Sequence, residues 1–197
     1  MQKQTIISIS REFGSGGHQI ATLLAERFSL PLYDRNLLDE IASEKNVNVD
    51  NLSKYDEAPK NFFLHRTVRG HSSSPEDNIA RMQFDYLLSK ANSGESFIVV
   101  GRCSETVLRE FDGLISIFVL ADEDFKLERV MQKYALNRKD AESKIARHDK
   151  NRKAYHNHYS NFRWGDSRNY DVCINSTRLP MEETVDILAD YIEKRMK

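Results

Sequence analysis

The stretch TIISISREFGSGGHQIA, residues 5–21, restricts the fold more than any other part of the chain. Thr5, Ile6, Ile7 and Ile9 form a β-branched run that suits a strand. Gly14, Ser15, Gly16 and Gly17 then break regular structure. From Gln19 onward, Ile20, Leu23, Leu24 and Phe28 recur at helical spacing. A strand, a glycine loop and a helix in that order leave backbone N–H groups free to converge on an anion, with the positive end of the helix dipole behind them. The unit predicts a phosphate cradle. A plain strand-to-helix turn has little use for three glycines and a serine in four positions.

Two phosphate-loop patterns compete for this unit, and each is incomplete. The dinucleotide fingerprint G-x-G-x-x-G finds Gly14 and Gly16 but meets Gln19 at its third glycine. Asp34 stands where a ribose-binding acid would be expected. The P-loop pattern G-x-x-x-x-G-K-[ST], placed on Gly16, puts Arg11 at the first glycine, Gly17 at the lysine and His18 at the Mg2+-binding hydroxyl.

A chain of 197 residues can bury one sizeable α/β domain with a small insertion. Its net charge of −1 excludes an overall drive toward nucleic acid, and positive charge is instead concentrated between Lys126 and Arg168. No apolar run approaches the ~20 residues of a membrane span, and the amino terminus enters a strand without a signal-peptide core. Cys103 and Cys173 build neither a disulfide framework nor a CxxC metal site. A cytoplasmic protein with no membrane or nucleic-acid partner is expected, its oligomeric state left open. His156-x-His158 lacks a third ligand in the sequence, so no metal is assigned to it.

Residues 30–34 read as a short second strand, followed by a helix burying Leu37, Leu38, Ile41 and Ala42. Residues 50–59 read as a short helix or turn, and residues 60–75 as a mobile loop. Residues 77–91 carry helical spacing through Ile79, Met82, Tyr86 and Leu87. The run SFIVVGR, residues 96–102, is the clearest buried strand, and it delivers Arg102 to the carboxyl edge where the glycine loop also lies. Residues 114–121 form another buried strand and residues 122–136 an amphipathic helix. Residues 138–159 form a long polar helix: either a solvated surface element laced with i,i+3 and i,i+4 pairs, or a lid that brings guanidinium groups onto phosphates. Residues 170–175 make the last strand and residues 181–196 a closing helix. Strands near residues 5, 31, 97, 115 and 171, with helices between them, predict a five-stranded parallel sheet in a three-layer α/β/α fold.

With these pieces in place the chain resembles the cytidylate kinase-like family, a branch of the P-loop nucleoside monophosphate kinases, over nearly its whole length. The resemblance rests on the Ser10 to Gly17 segment with Ile20 and Ala21, on Leu32-Tyr33-Asp34-Arg35, on Val99-Val100-Gly101-Arg102, and on Phe118-Val119-Leu120-Ala121. It continues in the D-x-x-R segment Asp149 to Arg152 with Tyr155, in Trp164-Gly165, and in Tyr170-Asp171 through Asn175-Ser176-Thr177. It implies one domain over 1–197, with core segments 1–44, 96–137 and 169–197, an acceptor-binding insertion near 45–95 and a lid near 138–168. It implies ATP with Mg2+ as donor and CMP or dCMP as acceptor. Gly14, Ser15, Gly16, Gly17 and His18 would hold donor phosphates, with Asn175, Ser176 and Thr177 near the donor base. Asp34, Arg35, Gln83, Arg102 and Asp149 would face the acceptor. Arg11, His18, Arg147 and Arg152 are the candidates for charge on the transferring group, since such transfer needs in-line positioning and concentrated positive charge. Because Gly17 replaces the P-loop lysine, two alternatives stay open: a kinase of another small acceptor, and a non-catalytic nucleotide sensor. A dinucleotide oxidoreductase has only Gly14, Gly16 and Asp34 in its favour.

Overall fold

The computed structural model describes residues 4–34, 36–45, 67–68, 71–72 and 75–197. The main sheet contains β1 (Ile6–Arg11), β2 (Leu32–Tyr33), β5 (Phe97–Val100), β6 (Leu114–Leu120) and β7 (Val172–Asn175). Its order is β2-β5-β1-β6-β7 and every pairing is parallel. A parallel sheet is covered on both faces, so its strands read as near-continuous apolar runs. That is why ISI, FIVV and LISIFVL were legible as strands.

The two faces follow from the strand period of two. Ile7 and Ile9 point into one core layer with Ile98, Val100, Ile117 and Val119, closed by α1 (Gly17–Phe28) and α7 (Met181–Met196). Ile6, Phe97 and Val99 point into the other, where Tyr33 joins α2 (Leu37–Lys45) and α3 (Pro75–Asn92). The result is the expected three-layer α/β/α sandwich. Among the described residues no helix is long and apolar enough to cross a membrane.

Residues 60–75, expected as a loop, contain a small antiparallel pair, β3 (Thr67–Val68) and β4 (His71–Ser72), with Thr67 opposite Ser72 and Val68 opposite His71. Two-residue strands are too short to leave a periodic trace in sequence. The expected short helix or turn at 50–59 lies outside the described residues. The single-turn helix α4 (Ser104–Val107), directly after β5, and the short 3-10 turn Ser167–Asn169 also went unread, and α4 has the closer bearing on the sheet. It is tied to β1 by polar groups inside the sheet. Ser8 and Ser104 hydroxyls are 2.7 Å apart, and Ser10 donates to Glu105 Oε2 at 3.2 Å. The remaining helices are α5 (Glu123–Tyr134) and α6 (Arg138–Tyr159).

Candidate active site

β1 lies in the middle of the sheet, and the chain leaves it on one side to reach β5 and β2 and on the other to reach β6 and β7. A crevice therefore opens beyond the carboxyl end of β1, the usual position for ligands in open α/β sheets. It holds a cleft of about 410 Å³ lined by the glycine loop, Asp34, Arg102, Arg152 and side chains of α5. A larger hollow of about 740 Å³ opens beside Leu114 and Asp171, at the amino ends of β6 and β7, away from the glycine loop.

The loop is fixed from several sides. Gly14 and Gly16 have φ of 86° and 83°, the left-handed region that glycine enters without penalty. Ser15 is fully buried, and its hydroxyl donates to Glu12 O at 2.9 Å. The Glu12 carboxylate accepts from Lys126 Nζ at 2.9 Å and from the Ala121 N–H at 3.3 Å, which clamps the loop to the start of α5. Ser176 braces it from behind, its hydroxyl donating to Ser15 O at 2.5 Å. Asn175 and Thr177 make a closed turn: Asn175 Oδ1 accepts from the Thr177 hydroxyl, and Asn175 Nδ2 donates to Asp122.

Opposite the loop, Gly101, Arg102 and Cys103 run through three successive left-handed conformations, with φ of 77°, 61° and 54°. A non-glycine residue there costs of order 1 kcal/mol or more. The turn swings Arg102 inward, where it is 2% exposed and donates through Nη2 to Asp34 O at 3.0 Å. The sequence placed Arg102 at this edge; its complete burial depends on a backbone conformation that no residue type announces. Asp34 meets His18 Nε2 at 2.5 Å. Burial alone would raise the Asp34 carboxyl, but the Asn36 N–H, His18 and the Arg102 charge together hold it below the usual carboxylate range.

Helix α6 closes the third side. Asp149 Oδ1 accepts the Phe13 N–H at 2.7 Å, and Arg152 donates to Arg11 O at 3.3 Å. His148 stacks on the Phe13 ring at 4.2 Å. Burial pushes the Asp149 carboxyl above its ordinary value, against the opposing pull of the Phe13 N–H and Arg152. Arg147 is exposed on the same helix. Gln83 is fully buried on α3. Arg35 lies outside the described residues. The structure thus gathers Arg11, His18, Asp34, Arg102 and Arg152 around one cleft with the glycine loop.

Sequence reading missed Arg129, Gln19 and Lys126. Arg129 rises from α5 over the loop and donates to Gln19 Oε1 at 2.7 Å. Its only trace in sequence is a cation one helical turn beyond Lys126 on the helix that follows β6.

Fold and cleft together define a P-loop kinase-like α/β protein. A family model described as the cytidylate kinase-like family matches residues 6–178. The chain belongs to that family. A crystal structure of an uncharacterized protein from Eubacterium ventriosum ATCC 27560 is 38% identical over 96% of this chain and 99% of its own, with a TM-score of 0.77. Shikimate kinase from Bacteroides thetaiotaomicron is 13% identical over 96% and 98% of the two chains, with a TM-score of 0.57. A sugar kinase from Janibacter sp. HTCC2649 is also 13% identical, over 96% and 95%, with a TM-score of 0.55. At that identity these two resemblances concern the fold. No curated protein matches the chain.

Proposed function

We propose that the chain is an ATP-dependent kinase that phosphorylates a nucleoside monophosphate, CMP or dCMP, to the diphosphate, working in the cytoplasm. The observation that carries this reading is the buried Arg102 held beside Asp34 across the cleft from the glycine loop. A guanidinium offers paired, planar N–H donors that match a phosphate. The site would keep it on the acceptor side while the loop takes the donor. Family membership supports the same assignment.

In the reaction, an acceptor phosphate oxygen bonds to the γ-phosphorus of ATP as the bridging oxygen to the β-phosphate departs. The nucleoside diphosphate and ADP result, and no other reactant is needed. Arg102 and Asp34 would orient the acceptor. Arg152, Asp149 and the rest of α6 would form the lid that excludes water, and segment 45–95 would be the acceptor-binding insertion. Glycines at 14 and 16 let the loop take the left-handed turns of a phosphate cradle, so the loop would hold a triphosphate. The fit to a protein-held Mg2+ is weaker: His18 takes the place of the usual hydroxyl and is tied to Asp34, while Glu12 is engaged by Lys126. Mg2+ entering with ATP would be held by phosphate oxygens, lowering the charge repulsion at the transferring group.

A second reading, a nucleotide sensor without turnover, is favoured by Gly17. ADP release from Mg-ATP, measured against a panel of monophosphates, tests both. Turnover confined to CMP and dCMP is expected. ATP binding with no turnover on any monophosphate would overturn the proposal in favour of the sensor or of a different small acceptor.

A further inference from the structure

The loop lacks the lysine that bridges terminal phosphates in a P-loop, and the structure shows why none could stand there. A Cβ at Gly17 would lie 2.6 Å from Arg11 Cβ and 3.1 Å from Arg11 Cγ. The stem of Arg11 occupies that space, so Gly17 and Arg11 depart from the pattern as a pair. Arg11 itself, His18, Arg102, Arg129 and Arg152 are then groups around the cleft from which the missing positive charge can come.

His18 is a poor source. It is tied to the Asp34 carboxylate, which would offset any charge on the imidazole. Arg102 reaches to Asp34 O and Arg152 to Arg11 O, on the acceptor and lid sides. Arg129 differs from all of these. Its Nη1 lies 2.3 Å from where a Cβ on Gly16 would be, so the guanidinium crosses directly over the loop. Its Nη2 is held by the neutral Gln19 amide, and it makes no ion pair among the described residues. Its Nη1 is buried and has no hydrogen-bond partner among the described residues. Burial also lowers its affinity for its proton, which is the electrostatic cost of a desolvated cation without a counter-charge. A buried donor left unsatisfied at a functional cleft calls for an explanation, and an anion on the glycine loop supplies one.

We propose that Arg129, aimed by Gln19, supplies the permanent charge on the donor's terminal phosphates that a P-loop lysine supplies, while Arg11 fills the lysine's former place. This rests on the phosphoryl-transfer reading and names the cation behind it. The guanidinium keeps its protons throughout and acts on the charge of the γ-phosphoryl group as its bond to the bridging oxygen breaks. Gln19 is a positioning residue, fixing the direction of Nη1.

The test compares wild type with Arg129→Met, which keeps length without charge, and Arg129→Lys, which keeps charge. Affinities for ATP, ADP and AMP are measured by titration without acceptor, together with turnover. Arg129→Met should bind ATP at least tenfold more weakly, with AMP affinity unchanged, and lose about a hundredfold in kcat. Arg129→Lys should recover most of the ATP affinity. Melting temperatures of all three should stay close, since the residue lies at the rim of the fold. Adding Arg11→Gly and Gly17→Lys to Arg129→Met should restore ATP binding, because the double change reopens the lysine's place. Unchanged ATP affinity in Arg129→Met, or equal losses for ATP and AMP, would overturn the assignment. Wild type that binds ATP without phosphorylating any monophosphate would overturn the transferase reading alone, with the ATP–AMP comparison still deciding Arg129. Wild type that binds no ATP would overturn both.

Discussion

Arg102 combines two costs that a structural residue rarely carries together: a left-handed backbone and a fully buried guanidinium. A buried guanidinium carries a desolvation cost, and Arg102 donates to the backbone carbonyl Asp34 O. Arg102→Ala should therefore weaken acceptor binding by tenfold or more, the loss of about 1.5–3 kcal/mol of charge-assisted hydrogen bonding, while ATP affinity stays within about twofold. Calorimetric titration with each nucleotide separates the two; equal losses for both would remove Arg102 from the acceptor side. Neighbouring Asp34 gives a pH signature. Its folded pKa lies below its unfolded value of about 4, so its contribution is complete above that value and is lost as pH falls through the folded pKa. Urea unfolding of Asp34→Asn should show less acid sensitivity than wild type below about pH 4, and the same acid sensitivity as wild type would mean that His18 and Arg102 do not hold the carboxylate in solution.

At the scale of elements, the important joint is between α6 and the glycine loop. Asp149 accepts the Phe13 N–H, and Arg152 and His148 lie against the Phe13 ring. The Asp149 carboxyl titrates higher in the folded chain than in the unfolded one. The folded state therefore holds the extra proton, and stability declines as pH rises from about 4 through the folded value. Asparagine keeps the acceptor oxygen and removes the charge. Asp149→Asn should be at least as stable as wild type at pH 7. Asp149→Ala should lose about 1–3 kcal/mol, the cost of stranding a buried N–H, with faster hydrogen exchange at Phe13. Equal stability of the two variants would show that the joint rests on the aromatic stack. The bounds of α6 agree with the polar helix read over residues 138–159, and Asn137 caps it, its side chain accepting the Asp140 N–H at 2.9 Å. Its docking was not readable, since Asp149 and Phe13 are 136 residues apart. The same holds for Arg129 and Gln19, 110 residues apart. Local runs encode strands and caps, whereas the site depends on which loop tips the sheet order brings together.

Over the whole molecule, the parallel order β2-β5-β1-β6-β7 puts the loop after β1, the left-handed turn after β5 and the head of α5 after β6 on one edge. The proposed donor and acceptor positions would thus lie on different strands of one sheet, with α6 reaching over from the side. Occupation of both positions would distinguish a transferase from a sensor, because a sensor needs only one of the two. A single molecule carrying both nucleotides joined through their phosphates converts the second binding event into an intramolecular one. An adenosine–cytidine polyphosphate should therefore bind at least a hundredfold more tightly than ATP. At a concentration a hundred times its dissociation constant it stabilises the fold by about 2.7 kcal/mol, which raises the melting temperature by roughly 5–10 °C in a chain of this size. Hydrogen exchange should slow in α6 and at Arg102 together, because each contacts a different half of the ligand. A polyphosphate that binds no better than ATP, with protection confined to the glycine loop and α5, would show that only the donor half of the cleft is built to be occupied.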